Sequence, residues 1–211
     1  MRKAINEQVT PRLVPVQKRS RARFEAILAC AEELLLEKGS DSFRMSDIVA
    51  RAGVPHGSLY QYFPDKTAVI ATLAERLNEA GRECVAAELA LIAAPTDLGA
   101  ALCRVADGYY QMYREVPVMH PVWQATQADR ALQRLDAAES ALLANMLAER
   151  LSGLVDAPAG RLAAFSRLQI TQICAVVREA IGLPDAEAAE LLAQYRAQLM
   201  SDLLLAPLQR A

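Results

Sequence analysis

Between Ser46 and Lys66 the chain reads SDIVARAGVPHGSLYQYFPDK, and its glycines and prolines leave that stretch few ways to fold. Ile48 and Val49 fall on the inner face of a short helix from Ser46 to Ala52, and Gly53 is the residue type that enters the left-handed conformation closing such a helix. Pro55 presets the first turn of a second short helix running to about Phe63, before Pro64 opens a longer one. Two short helices about a tight turn form a helix-turn-helix, whose second helix enters the DNA major groove by its N-terminal residues. The outer face of that second helix carries contact chemistry. Gly57 permits close approach, Ser58 and Tyr60 offer hydroxyls, Gln61 can read a base edge, and Lys66 can hold a phosphate. Leu59 and Phe63, four residues apart, are the inward anchors.

The rest of the chain reads as helix. Phe24, Ile27, Leu28, Ala31, Leu34 and Leu35 keep the three-and-four spacing of one helical face, and Gly39 ends that helix. Further helices are predicted at about 65–93, 97–114, 119–127, 129–153, 159–181 and 186–205, separated by Pro95, Pro117 and Pro121, Pro158 and the Gly182-Leu183-Pro184 break. Ala and Leu dominate while aromatics make up only 5%, so the expected fold class is all-α: a three-helix domain over 18–66, then a larger antiparallel bundle over 67–211. Residues 1–17, with Pro11 and Pro15 and no helical period, read as a mobile basic arm.

Charge is unevenly placed. The whole chain is net −2, but residues 1–70 hold 11 Lys/Arg against 8 Asp/Glu, and residues 1–24 alone are net +6, with Arg2, Lys3, Arg12, Lys18, Arg19, Arg21 and Arg23 against Glu7. A basic end on an otherwise acidic chain suits a polyanion, because neutralised phosphates supply most of the affinity for DNA. A solubilising tail is the competing reading of a basic run taken alone.

Ile48, Ala52-Gly53-Val54, Gly57, Leu59-Tyr60, Tyr62-Phe63 and Lys66, with Phe43 and the helix ending in Gly39 upstream, resemble the DNA-binding domain of the tetracycline-repressor (TetR) family of bacterial regulators. The resemblance covers about residues 18–66. It implies a homodimer on double-stranded operator DNA and a small-molecule effector, with repression more usual than activation; a cytoplasmic location is expected by default, since the basic N-terminus has no apolar stretch ending in a small-residue cleavage site. Residue chemistry and the resemblance together give the expected DNA-contact set Lys18, Arg19, Arg21, Arg23, Arg44, Ser46, His56, Gly57, Ser58, Tyr60, Gln61, Tyr62 and Lys66. Packing is the alternative for Tyr60 and Tyr62, and an exposed side chain without a role is the alternative for His56. The chain departs from the family where Arg44 stands in place of Thr and Pro55 in place of Ser or Thr. Both helix caps are thereby expected to be lost, at about 0.5 to 2 kcal/mol each.

Two further groups stand out. Tyr109, Tyr110, Met112, Tyr113, Met119, His120 and Trp123 are the densest aromatic and sulfur-rich stretch, in the region that lines an effector pocket in the family. With Phe165 and Gln169 from a later helix, the candidate effector set is Tyr109, Met112, Tyr113, Met119, His120, Trp123, Phe165 and Gln169, suited to an apolar or aromatic molecule. Ordinary core is the competing reading, since such stripes are common packing material. On the 159–181 helix the apolar residues cover an arc of about 160°, wider than the roughly 100° one partner needs. Ile170, Ile173, Val177 and Ile181, with Leu192, Tyr195 and Leu199 of the last helix, are therefore the expected dimer interface, resembling the family's four-helix interface.

Other classes find little support. His56 and His120 are the only histidines, and no Ser/His/Asp, Glu-x-x-His or phosphate-loop pattern occurs, so no catalytic residues and no enzyme are expected. Cys30, Cys84, Cys103 and Cys174 lie far apart without a CxxC pair, so neither metal nor disulfide framework is expected, and no cofactor is implied. The longest apolar stretch, Cys84 to Ala94, contains Glu88 and falls short of a bilayer span. An effector-independent DNA-binding protein remains the alternative to a ligand-responsive one.

Overall fold

The structure is a computed structural model that describes residues 17–209, so the arm expected over 1–17 lies, but for Gln17, outside the described residues. Within them the chain forms α1 (Lys18–Ser42), α2 (Met45–Ala52), α3 (His56–Tyr62), α4 (Lys66–Ala90), α5 (Leu98–Glu115), α6 (Met119–Ala128), α7 (Arg130–Ser152), α8 (Ala159–Ile181), α9 (Asp185–Leu199) and a final turn, α10 (Ala206–Gln209). No strand occurs among the described residues, in keeping with the expected all-α class. No described helix is long and apolar enough to cross a membrane.

The chain divides into two compact units, but not at the linear boundary expected. The first reaches to Asn78 and takes in Val116–Ala138; the second comprises Glu79–Glu115 and the chain from Glu139 onward. The apolar residues of α1 predicted from periodicity, Phe24 through Leu35, are all buried in the first unit. They share one core with Phe43, Ile48, Leu59, Tyr62, Phe63, Val69 and Leu73, and with Val118, Val122 and Leu132 from the later segment. Each such side chain contributes about 1.5 to 3 kcal/mol on leaving water, so the later segment is an integral part of this core. Polar ties fix the register. Glu25 of α1 accepts two hydrogen bonds from the Arg76 guanidinium of α4, both 2.7 Å, which holds its carboxyl below the usual range. Gly39 breaks the helical path inside α1 at φ 71°, where the sequence predicts the stop.

In the second unit α8 packs against α5, α9 and α10. That is why its apolar arc is wide: flanking helices of the same chain take up the width that periodicity alone assigns to a second subunit. Asp97 accepts the backbone N–H groups of Ala93 and Ala94 at 2.9 and 2.8 Å and so starts the turn into α5. The last long helix stops at Leu199, short of the predicted Leu205. Just beyond it the Ser201 hydroxyl accepts the Leu203 N–H at 3.2 Å, a local bond that competes with continuing the helical ladder.

Candidate nucleic-acid interface

The α2–turn–α3 segment is built by local chemistry. Arg44 supplies no side-chain cap to α2, but the Asp47 carboxylate reaches back three residues to accept the Arg44 N–H at 2.9 Å. The expected loss of that cap is thus corrected in part: one of the orphan N–H groups at the helix start is satisfied from the N3 side. The same hydrogen bond, and then Lys38 at 3.4 Å, hold the Asp47 carboxyl below its usual pKa. Because the folded-state value is the lower one, this contribution is present above the unfolded carboxylate pKa and disappears as pH falls through the folded value. Asp47→Ala is accordingly expected to lower the thermal midpoint by a few degrees at neutral pH, an effect that fades on acidification. A calorimetric melt at two pH values checks it. Gly53 closes α2 at φ 61°, ψ 29°, the left-handed conformation predicted. Pro55 precedes α3 with an extended ψ of 143°, and its carbonyl accepts the N–H groups of Ser58 and Leu59.

This geometry divides α3 cleanly. Leu59 and, just past the helix, Phe63 are fully buried; Phe24 stacks on Phe63 at 4.9 Å and meets Tyr62 edge-on at 5.7 Å. Tyr62 is 2% exposed. Its expected contact with DNA is therefore corrected: the ring is spent on the α1 contact. Facing outward are His56, Gly57, Tyr60 and Gln61, with Tyr60 40% exposed. The His56 and Tyr60 rings lie nearly parallel, 12° apart with centroids at 6.0 Å. Ser58 is half-buried and accepts a hydrogen bond of 3.4 Å from Arg23, which brings the start of α1 to the recognition helix.

Of the other expected contacts, Lys18, Arg19, Arg21, Arg44 and Ser46 are exposed and Arg23 is half-buried, while Arg2, Lys3 and Arg12 lie outside the described residues. Lys66 differs from expectation. Its ammonium donates to the Ser40 carbonyl at 2.7 Å and lies 5.2 Å from the Phe43 ring centroid, so it ties the end of α1 to the start of α4. A phosphate would have to displace those contacts; Lys66 is a positioning residue in this structure.

The candidate effector residues fall in different units. In the first, the His120 and Trp123 rings stack at 6.0 Å on α6, with Met119 buried beside them in sequence. In the second, Tyr109 and Tyr113 of α5 meet edge-on at 5.1 Å with hydroxyls 3.4 Å apart, and Met112 is half-buried. Burial pushes both phenols up, so they are neutral donors at physiological pH. Phe165 and Gln169 of α8 line a groove of about 540 Å³ in the second unit, together with Tyr195 and Leu199 of α9.

The expected dimer face is corrected by burial. Ile170, Ile173, Val177, Leu192, Tyr195 and Leu199 are all 5% exposed or less in the single chain and Ile181 is half-buried, so Ile170, Ile173, Val177 and Leu192 are taken up by the chain's own core, while Tyr195 and Leu199 reach the surface only along the groove. The unpartnered apolar residues are others. Leu168 on α8 is 51% exposed, and Leu203, beyond α9, is 75% exposed; both line the groove. Sequence periodicity assigns Leu168 no special place, because it lies off the main apolar arc of its helix.

Residues 27–73 match the family described as "Bacterial regulatory proteins, tetR family", and residues 96–206 match "Tetracyclin repressor-like, C-terminal domain". Over 60 residues the chain is 43% identical to the HTH-type transcriptional regulator YvdT of Bacillus subtilis (strain 168), a match spanning 28% of this chain and 31% of that one. The chain thus spans about a third of the length of that curated relative. A TetR-family regulator from Streptomyces coelicolor superposes with a TM-score of 0.63 at 25% identity, covering 91% of this chain and 100% of the other. The solved complex of SmeT with triclosan superposes with a TM-score of 0.64 at 19% identity, over 88% and 90% of the two chains.

Proposed function

Because the chain belongs to the tetR family of bacterial regulatory proteins, we propose that it is a ligand-responsive repressor that binds operator DNA as a homodimer and leaves it when a small apolar or aromatic effector binds. The observation carrying this reading is the division of α3: Leu59 buried inward, and His56, Gly57, Tyr60 and Gln61 presented outward. The exposed cations of α1, Lys18, Arg19 and Arg21, supply the phosphate contacts that position such a helix. A seven-residue helix reads one half-site, so two copies are needed to meet successive turns roughly 34 Å apart.

The effector reading is supported, within the second unit, by the phenol pair at Tyr109 and Tyr113, and by the SmeT relative that holds triclosan. An effector empties the operator by binding the unfitted conformation several kcal/mol more tightly than the fitted one. DNA enriched from a random pool tests the reading. It is expected to carry an inverted repeat and to sediment with two chains per site, whereas one chain per site, or no enriched sequence, would sink it. The surface left for a second copy is the groove side of α8, so Leu168→Glu is expected to weaken self-association at least about tenfold, the order of effect when a charge enters an apolar contact. Light scattering across a dilution series checks this; an undiminished dimer would place the interface elsewhere.

A further inference from the structure

The outer face of α3 carries one feature that phosphate binding does not explain. His56 and Tyr60 are four residues apart and so share a face of the helix. Their rings lie parallel, within 12°, at a centroid separation of 6.0 Å, and both side chains are exposed. Tyr60 is among the few large apolar side chains that the described chain leaves in solvent. Beside the pair, a Cβ built on Gly57 meets no atom of the described residues within 4 Å, so the face is open at that point. A stacked ring is already restricted in its rotamers, and it presents an apolar flank at a fixed place at no further ordering cost.

The chemistry of the major groove limits what such a flank can recognise. Base edges there are hydrogen-bond donors and acceptors, except for the thymine C5-methyl group, which is the apolar feature of the groove. The polar readers on the same helix are separate: Gln61 is exposed, and Ser58 is held by Arg23 at 3.4 Å. We propose that the His56–Tyr60 stack determines specificity by seating a thymine methyl group in each half-site, the Tyr60 ring making the contact and His56 holding that ring. This rests on the reading of α2 and α3 as the DNA-binding helix pair.

The test substitutes uracil for thymine, one position at a time, in DNA selected by the wild-type protein; this removes the methyl and leaves base pairing intact. Fluorescence anisotropy of the full-length protein is expected to show about a fourfold loss of affinity at one symmetric position per half-site, the worth of one buried methyl group. Tyr60→Phe, which keeps the ring, is expected to retain that step, Tyr60→Ala to abolish it, and His56→Ala to reduce it. Equal affinity for thymine and uracil at every position would overturn the inference, and so would a step that persists in Tyr60→Ala. Tight binding that is indifferent to the methyl would leave the DNA-binding reading standing, whereas a protein that selects no DNA would overturn both.

Discussion

Phe63→Ala is expected to remove about 3 to 5 kcal/mol from the stability of the first unit, the range for truncating a fully buried phenylalanine. Phe63 is wholly buried, stacks on Phe24 at 4.9 Å, and follows directly on the end of α3. Removing its ring takes the support from beneath α3 and leaves a cavity that helices α1 and α4 cannot close without shifting. A loss of this size is a large share of what a domain of this kind has, so DNA binding is expected to vanish with it. The single tryptophan, Trp123, lies in this unit, and its fluorescence in a urea titration reports the change directly. Tyr60→Ala, three residues away and exposed, is expected to leave the same transition within about 0.5 kcal/mol. Equal transitions for Phe63→Ala and wild type would contradict the packing described.

Gly99→Ala is expected to destabilise the second unit by about 1 to 3 kcal/mol, although helix propensity alone favours alanine by up to about 1 kcal/mol. A Cβ at Gly99 would lie 2.4 Å from the Leu199 carbonyl oxygen and 3.3 Å from its carbon. The obstacle is backbone at the end of α9, which has no rotamer to change, so the start of α5 and the end of α9 must part. Gly81 is the internal control. It also lies in a helix, a Cβ there meets nothing within 4 Å, and Gly81→Ala is expected to stabilise by about 0.5 to 1 kcal/mol. The same substitution thus carries opposite signs at two positions, and circular-dichroism melts of the two variants separate the clash from propensity. Two shifts of the same sign would show that α5 and α9 do not cross as closely as described.

Much of this architecture is legible in the sequence because it is local. The six apolar residues of α1, the left-handed Gly53 and the limits of α2 and α3 follow from spacing and from glycine and proline chemistry. What the sequence hides is pairing at a distance. Tyr60 and Tyr62 look equally available in the string LYQYF, but Tyr62 joins the core that includes Phe24, 38 residues before it, and Tyr60 stays exposed. Lys66 carries a charge that suits a phosphate, but the Ser40 carbonyl that occupies it belongs to a helix end 26 residues away. The breadth of the α8 apolar arc is equally real, and periodicity cannot say whether a second subunit or α5 and α9 take it up. Val116–Ala138 joins the N-terminal helices for the same reason: Val118, Val122 and Leu132 complete a core that α1 alone leaves open. The Asp47 cap is local and so has a sequence signal of its own, since an acidic residue at the third position of a helix can reach back to the N–H that precedes it.

Fluorescence anisotropy with selected operator DNA over a salt series, for the wild type and for a variant with Arg19, Arg21 and Arg23 all changed to Ala, tests the proposal that α3 and the basic start of α1 hold DNA. Specific binding that survives moderate salt is predicted, with the variant's slope of log affinity against log salt shallower by about 0.9 for each phosphate it no longer neutralises. Equal slopes and equal affinities for the two proteins would contradict the claim.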